Sequence, residues 1–219
     1  MNKLASILIV TGILLSLLDA TLVLSYKPAT NTNELSDDFN GQVLSTDWGV
    51  EDIESKYTLS NGLLTLSSDA GANTGIALYR DFNPQTDGFT VSSRVKASTL
   101  DFVALRIQFK SLPIILPNAA VTAATLQVRP DRFIAVITST ELEIYRPTTT
   151  GVWYILEMKV QKNPFEIEFN VYNDGGNLLS AQTITVNDFR YADIHYICLQ
   201  LWNTGLKPVY EIDWLKIVS

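Results

Sequence analysis

Two neighbouring stretches decide the fold class of this chain: VWYILEMKVQ at residues 152–161 and FEIEFNVY at residues 165–172. In the first, every even position is apolar, and in the second, Glu166, Glu168 and Asn170 alternate with large apolar residues. A β-strand repeats every two residues, so this pattern gives each strand one apolar face for a core and one mixed or polar face. The two stretches therefore predict antiparallel strands that are covered on one face only.

The same alternation and the turn residues between the runs extend this prediction to the rest of the chain. Asn61-Gly62 and the run Asn173–Asn177 separate alternating stretches and are typical of hairpin turns. After residue 33, we find no convincing helix and no internal repeat. Further strands are predicted near residues 57–59, 63–66, 76–80, 89–96, 103–110, 121–129, 132–138, 140–146, 178–186, 195–202 and 209–218. The sequence thus predicts one all-β domain over residues 34–219, an antiparallel two-sheet jelly-roll sandwich.

Charge and cysteine content limit the class of partner and the compartment. The 219 residues carry a formal net charge of −7, and no cluster of Lys and Arg is present. Binding to phosphate needs such a cluster, so we predict no nucleic-acid partner. The single cysteine, Cys198, excludes an intramolecular disulfide and is interpreted as a buried thiol. An exported domain held by its core alone favours a prokaryotic surface.

The N-terminal segment is typical of an export signal. A short cationic start, Met1–Lys3, precedes an apolar run over residues 4–18, and Ser25 is an acceptable cleavage position. The alternative is an uncleaved membrane anchor at residues 4–25, which is long enough to span a bilayer. Residues 1–25 are therefore predicted to be a hydrophobic helix that serves as a signal peptide or anchor, and residues 26–33 a polar linker. Both alternatives predict an extracellular or cell-surface location.

Residues 111–120, SLPIILPNAA, are apolar and uncharged, and two prolines interrupt them. Proline removes a donor from a strand ladder, so this segment is not predicted to be a central strand. One interpretation is a loop that packs over the end of a sheet. The other is an exposed apolar patch through which the chain associates with itself or a partner.

Both ends of the domain resemble the concanavalin A-like lectin/glucanase superfamily, in the manner of a laminin-G-like jelly roll. The stretches that carry this resemblance are Asp37–Gly41 with Trp48, Ser60–Leu66, Trp153–Val160, Ile197–Trp202 and Tyr210–Trp214. The resemblance covers roughly residues 34–219, and residues 111–131 depart from it. It implies two curved antiparallel sheets and a concave face that often carries sugar. Trp48 and Trp214, which flank the terminal strands, are predicted to be core residues.

Sugar recognition needs aromatic faces and planar polar groups, and the predicted polar strand faces supply both. The candidate ligand-binding residues are Trp202, Gln200, Arg106, Gln108 and Tyr145. Trp202 is the most suggestive of these, because the loop Asn203-Thr204-Gly205 follows it. The leading prediction is accordingly an exported, non-catalytic module that binds a glycan. The alternative is a structural or assembly protein of the cell envelope.

A second alternative is a glycoside hydrolase, but no catalytic residue is predicted. Some glucanases of the superfamily use a Glu-x-Asp-x-x-Glu strand, and the nearest match begins with Glu211 and Asp213 but has Lys216 at the acid/base position. The other acidic pairs at a spacing of two, Glu141 with Glu143 and Glu166 with Glu168, are predicted on solvated faces. His195 is the only histidine and is interpreted as a surface or capping residue.

No cofactor is predicted. Calcium is the alternative, since residues 68–73 and 173–174 carry oxygen ligands of the kind that this ion requires. Neither loop is densely acidic.

Overall fold

The computed structural model describes residues 34–69, 71–82, 87–98, 102–109, 122–129, 131–137, 140–146, 148–186 and 194–219. For residues 102–104, 106–109, 122–123, 140 and 195 it describes the backbone alone. Within these ranges the chain forms fifteen strands, and no helix there is long and apolar enough to cross a membrane. The predicted signal or anchor at 1–25, the linker at 26–33 and the segment 111–120 lie outside the described residues.

The strands are arranged in two sheets. They are β1 (Glu34–Asp37), β2 (Trp48–Ile53), β3 (Lys56–Ser60), β4 (Leu63–Ser67), β5 (Thr74–Asp81), β6 (Gly88–Ala97), β7 (Phe102–Phe109), β8 (Thr122–Val128), β9 (Phe133–Ile137), β10 (Thr140–Tyr145), β11 (Trp153–Gln161), β12 (Glu166–Asn173), β13 (Leu178–Thr185), β14 (Ile194–Asn203) and β15 (Val209–Val218). Sheet A has the order β13-β12-β11-β6-β15-β4-β3, with β1 also paired to β15. Sheet B has the order β10-β9-β8-β7-β14-β5-β2.

Every strand pair is antiparallel, and the alternating residues meet in one core between the sheets. In β12, Ile167, Phe169 and Val171 are fully buried, as the alternation predicted. The β3–β4 hairpin turns at Asn61 and Gly62, with φ of 54° and 73°, and this left-handed pair is what a two-residue hairpin loop requires. The predicted all-β, antiparallel two-sheet architecture is confirmed.

Asp37 holds the start of the domain together. Its carboxylate accepts a hydrogen bond from the indole Nε1 of Trp48 at 2.7 Å and another from the backbone N of Phe39 at 2.9 Å. The rings of Phe39 and Trp48 are buried with their centroids 6.0 Å apart. Because β1 belongs to sheet A and β2 to sheet B, this carboxylate ties the edges of the two sheets together at one end. The stretch Asp37–Gly41 with Trp48, which carries part of the resemblance, thus has a structural role in this domain.

The last strand corrects one prediction. Trp214 was expected in the core, but a bulge between Ile212 and Trp214 shifts the register of β15 against β6. Leu215 takes the inward position, and Trp214 lies half-buried on the outer face of sheet A with the Lys216 ammonium 5.7 Å from its ring centre. A bulge inserts one extra residue and so reverses which side chains face inward beyond it. Trp48 is buried as predicted, and so is Cys198.

Two tyrosines with opposite hydrogen-bonding states provide a test of this core. Tyr210 is fully buried, and its hydroxyl has no hydrogen-bond partner among the described residues. Burial raises the pKa of this phenol well above its ordinary value. We expect Tyr210→Phe to raise the free energy of unfolding by about 1–3 kcal/mol at pH 7, because an unpaired buried hydroxyl is removed. Denaturant titration measures this change.

The Tyr210 phenol also makes folding stability depend on pH in the alkaline range. Since the unfolded phenol loses its proton near pH 10 and the folded one at higher pH, wild-type stability falls as the pH rises past about 10. In Tyr210→Phe that part of the fall is absent. The control is Tyr172→Phe, which removes a 2.9 Å hydrogen bond to Glu157 Oε1 and is expected to lower stability by about 1 kcal/mol. A loss of stability in Tyr210→Phe would contradict the assignment.

Candidate functional site

The candidate site lies on the side of sheet B that faces away from the core. In β14, Ile197, Leu199 and Leu201 belong to the core, so Cys198 and Gln200 face the opposite side. We call this side the sheet B outer face. Directly opposed residues of antiparallel strands share a face, so the strand register divides it into four rows. The rows are Ile53–Gly75–Trp202–Phe102, Glu51–Ala77–Gln200–Ala104–Gln127–Ile134–Glu143, Gly49–Tyr79–Cys198–Arg106–Thr125–Val136–Glu141, and Asp81–Tyr196–Gln108–Thr122.

The register brings four of the five predicted ligand-binding residues to this face. Trp202 and Gln200 lie in neighbouring rows of β14, Arg106 stands opposite Cys198, and Gln108 stands opposite Tyr196. For Arg106 and Gln108 the placement rests on the backbone alone.

Tyr145 does not join these residues. A register shift between Glu143 and Tyr145 at the end of β10 places Tyr145 opposite Phe133. Its ring packs against the core, with its centroid 6.2 Å from that of Phe133. The extra residue reverses the facing of the strand, as it does in β15. Tyr145 therefore points away from the sheet B outer face, which corrects the prediction for this residue.

The second row of the sheet B outer face is buried at its centre. Gln200 is 2% exposed and Gln127 is 4% exposed. Gln127 accepts a hydrogen bond from Arg129 Nε at 3.0 Å and donates one to Thr125 Oγ1 at 2.9 Å. Ile134 beside Gln127 is buried as well. This middle part therefore acts as a packed floor, and the accessible side chains lie around it.

Two aromatic rings on this face lie over glycines of the neighbouring strand. A Cβ at Gly49 would overlap the ring of Tyr79, and a Cβ at Gly75 would come 2.5 Å from Cε3 of Trp202. Tyr79 also makes an edge-to-face contact with Tyr196, with centroids 5.8 Å apart. All three rings are half-buried, so each keeps some surface in contact with solvent. Sequence reasoning missed Tyr79 and Tyr196, although a glycine inside a strand signals the close approach of another group.

Asn203 fixes the end of β14 next to Trp202. It is fully buried, and its Nδ2 donates to Gly71 O at 3.1 Å and to Thr74 Oγ1 at 3.2 Å. Its Oδ1 accepts from the backbone N of Gly205 at 2.8 Å and of Lys207 at 3.1 Å. One side chain thus joins the loop before β5 to the loop after β14, and both loops are held beside the Trp202 ring.

The outer face of sheet A is different, because ion pairs cover it. Arg94 pairs with Asp174 at 2.8 Å and with Asp213 at 2.7 Å, and its guanidinium lies 4.2 Å from the ring centre of Trp153. Lys96 pairs with Glu211 at 2.7 Å. The hydrogen bond with Asp174 is the largest cause that raises the pKa of Arg94, and the same contact lowers the pKa of Asp174. This face is the solvated side that the alternation predicted.

Cations also neutralise the acidic pairs considered for hydrolysis. Glu143 pairs with Arg146 at 2.7 Å, and Glu141 with Arg129 at 3.4 Å. In the pair Glu166 and Glu168, the second carboxylate lies 3.3 Å from Lys159, and Thr185 donates to Glu166 at 3.2 Å.

Glu168 does approach another acid, Glu157, but Lys159 lies between them. The lysine Nζ is 3.3 Å from Glu168 Oε1 and 3.5 Å from Glu157 Oε1. Asn170 Nδ2 donates to the same two oxygens, at 2.6 and 3.1 Å. The hydrogen bond from Asn170, followed by that from Lys159, lowers the pKa of Glu168. Both carboxylates thus belong to one network with Lys159 and Asn170 on an outer strand face.

The loops considered for calcium use their carboxylates in ion pairs. Asp69 pairs with Lys56, which lowers the pKa of Asp69, and Asp174 pairs with Arg94. Asn173 Oδ1 accepts a hydrogen bond from the backbone N of Asn177 within its own turn. Across the described residues, no group of three or more His, Cys, Asp or Glu side chains is arranged to hold a metal ion.

The two glycines under rings respond differently to a methyl group. At Gly49 the obstructing atoms are the far end of the Tyr79 side chain, whereas at Gly75 the carbonyl oxygen of Leu201 also lies 2.7 Å from the new Cβ. A side chain can swing away, but a strand carbonyl cannot. We therefore expect Gly75→Ala to cost about 1–3 kcal/mol and Gly49→Ala less than about 1 kcal/mol in denaturant titrations. Equal costs would show that the rings are not seated as described.

Comparison with known proteins places the fold. No protein-family model matches the chain, and no curated protein matches it. Among solved structures, the carbohydrate recognition domain of Emp47p superposes with a TM-score of 0.64 at 10% identity, covering 87% of this chain and 97% of that one. Winged bean acidic lectin complexed with methyl-alpha-D-galactose gives 0.66 at 10% identity, covering 86% and 99%. Arcelin-5, a lectin-like defense protein from Phaseolus vulgaris, gives 0.62 at 7% identity, covering 84% and 97%. The chain therefore has the concanavalin A-like jelly-roll fold that its terminal strands resembled.

Proposed function

We propose that this protein is a non-catalytic carbohydrate-binding module whose ligand lies across the sheet B outer face. The observation that carries this proposal is the set of three half-buried rings, Trp202, Tyr79 and Tyr196, on one sheet face. The sheet A outer face offers no comparable surface, since its aromatic rings are covered by cations and its carboxylates are paired. The solved structures of the same fold include carbohydrate recognition domains and lectins, which supports the class of ligand.

The rings suit a sugar because they combine apolar faces with polar edges. A pyranose presents C–H groups on its faces and hydroxyls around its rim, so an aromatic face and nearby polar groups bind it together. Trp202 and Cys198 are four residues apart on β14, so the Trp202 and Tyr79 positions are separated by about 13 Å along the strand. This spacing favours an oligosaccharide over a single sugar unit. Gln200 supports the floor in this proposal, whereas Arg106 and Gln108 stay predicted contacts.

The proposed place of action is the cell surface or the extracellular space. The support for it is the cationic start and apolar run of residues 1–25, which is typical of an export signal. The domain carries a single cysteine and depends on its core rather than on disulfides.

The experiment is a glycan array probed with the full chain in a sugar-free polyoxyethylene detergent. We expect binding to one class of neutral oligosaccharide. Trp202→Ala and Tyr79→Ala should each weaken this binding at least tenfold, because each removes one stacking surface. The matched control is Trp153→Ala, which removes an aromatic ring from the sheet A outer face and should leave binding unchanged. Absence of binding to every glycan, or equal losses in all three variants, would refute the proposal.

A second candidate function, assembly within the cell envelope, is favoured by the edge of sheet A. The described edge strands β2, β3 and β10 each carry at least one charged residue, whereas β13 carries none. Among the described residues β13 forms a ladder with β12 alone. Proteins commonly protect such edges with charges or proline. Pairing of two copies through β13 would give a continuous sheet without bringing like charges together.

Sedimentation velocity of the full chain at increasing concentration tests this second candidate. If β13 mediates assembly, the chain dimerises, and Thr183→Lys abolishes the dimer because an edge lysine opposes strand pairing. Ser60→Lys on the edge strand β3 is the control and should keep the dimer. A monomer at every concentration would count against assembly through this edge.

A further inference from the structure

A polar pocket lies where β5 ends, next to the fourth row of the sheet B outer face. Its volume is about 430 Å³, and it is lined by Leu35, Thr46, Asp47, Arg80 and Asp81. Pockets that hold small ligands have volumes of about 300–1,000 Å³, so one monosaccharide unit is of suitable size. None of the lining residues belongs to the candidate contacts predicted from sequence.

Arg80 is the central group of this pocket. It follows the core residues Ile76 and Leu78 on the inward side of β5, and its side chain is only 14% exposed. Its one described partner is Asp47, whose Oδ2 lies 3.1 Å from Nη2. A guanidinium has five N–H donors, so most of the hydrogen-bonding capacity of this largely buried cation remains for a ligand in the pocket. Burial of such a group is costly unless its donors find acceptors.

The charges of the lining residues select the chemical class of the ligand. Arg80 contributes one positive charge, and Asp47 and Asp81 contribute two negative charges, so the pocket carries a net charge of about −1. This balance disfavours a carboxylate, sulfate or phosphate group. Hydroxyl groups both donate and accept hydrogen bonds, so they match a site where carboxylates and a guanidinium lie side by side. Thr46 adds a hydroxyl, and Leu35 adds an apolar wall.

Asp81 both lines the pocket and belongs to the fourth row of the sheet B outer face. Asp81 stands directly opposite Tyr196 in the register of β5 and β14. Burial, followed by the Asp81 carboxylate, raises the pKa of Tyr196, which agrees with this proximity. Tyr196 in turn contacts Tyr79. Asp81 is thus the residue that the pocket shares with the row of the outer face that carries Tyr196.

We propose that this pocket binds one neutral sugar unit of the glycan, with its hydroxyls bound by the carboxylates of Asp47 and Asp81 and by the guanidinium of Arg80. This inference rests on the proposed function and adds to it an end subsite and a preference for neutral over acidic sugars. The aromatic rings supply the stacking surface, and the pocket determines which unit lies at one end.

The side-chain Nε–H signal of Arg80 reports directly on occupancy of the pocket. The full chain, ¹⁵N-labelled and in the sugar-free detergent, is titrated with glucose, mannose, galactose and N-acetylglucosamine, and separately with glucuronate and sulfate. The signal is assigned by its absence in Arg80→Gln. We expect at least one neutral sugar to shift it, and we expect Asp81→Asn to reduce that shift while Trp202→Ala preserves it.

Affinity for the glycan identified on the array provides the second measurement. Calorimetry should show a loss of about tenfold, or 1.4 kcal/mol, for Arg80→Gln and Asp81→Asn. Asp81 is exposed, so its substitution does not endanger the fold. Arg146→Gln is the matched control, since Arg146 forms exposed ion pairs with Asp131 and Glu143 at the other side of sheet B, and it should change affinity less than twofold.

The outcomes separate the pocket from the proposed function. A shift of the Arg80 signal with glucuronate or sulfate, and with no neutral sugar, would overturn the ligand class. No shift with any of these compounds would overturn the pocket itself, even where array binding depends on Trp202 and Tyr79. Failure of the proposed function is a different result, namely array binding that is absent or insensitive to both aromatic substitutions.

Discussion

The structure depends on burial of two apolar sheet faces against each other, because no covalent link supplements it. With Cys198 as the only cysteine, no disulfide bridges the sheets, and the core side chains of both sheets form one contiguous cluster. This constraint puts an apolar residue inward at every second position of a strand, except where a bulge interrupts the alternation. It leaves the outward residues to vary, so the two outer faces could diverge while the interior stayed the same.

The two outer faces differ in the groups that they present. Sheet A presents opposite charges around Trp153 and Trp214, with Asp213 paired to Arg94 and Glu211 paired to Lys96. Sheet B presents a buried floor with rings at its margins. Rings seated on glycine are already ordered before a ligand arrives, so less conformational entropy is lost on binding. A protein of this architecture can therefore offer a stacking surface without a deep cleft or a mobile lid.

Sequence reasoning predicted the strands and part of the candidate site, and its failures have two physical causes. Sequence reasoning put Gln200 and Trp202 on a polar strand face. The alternation along β14 agrees, because Leu199 and Leu201 lie in the core. The alternation mispredicts the sheet face of Tyr145 and Trp214, because each strand contains a bulge whose extra residue is not visible in the sequence pattern. Tyr79 and the pocket around Arg80 were missed for another reason. They are formed by strands that are distant in sequence, and alternation carries no information about which strands become neighbours.

Because β1 pairs with β15, the chain could begin at a different strand and still form the same strand pairs. Glu34 stands opposite Val218, so the first and last residues of the described domain are neighbours in sheet A. A short peptide could join them, and the chain could open instead at the exposed turn around Gly175, with every strand pair kept. Such a circularly permuted protein would carry its free ends at the β12–β13 turn. The strand pairings thus define the architecture, and the starting point of the chain is one of several that are compatible with them.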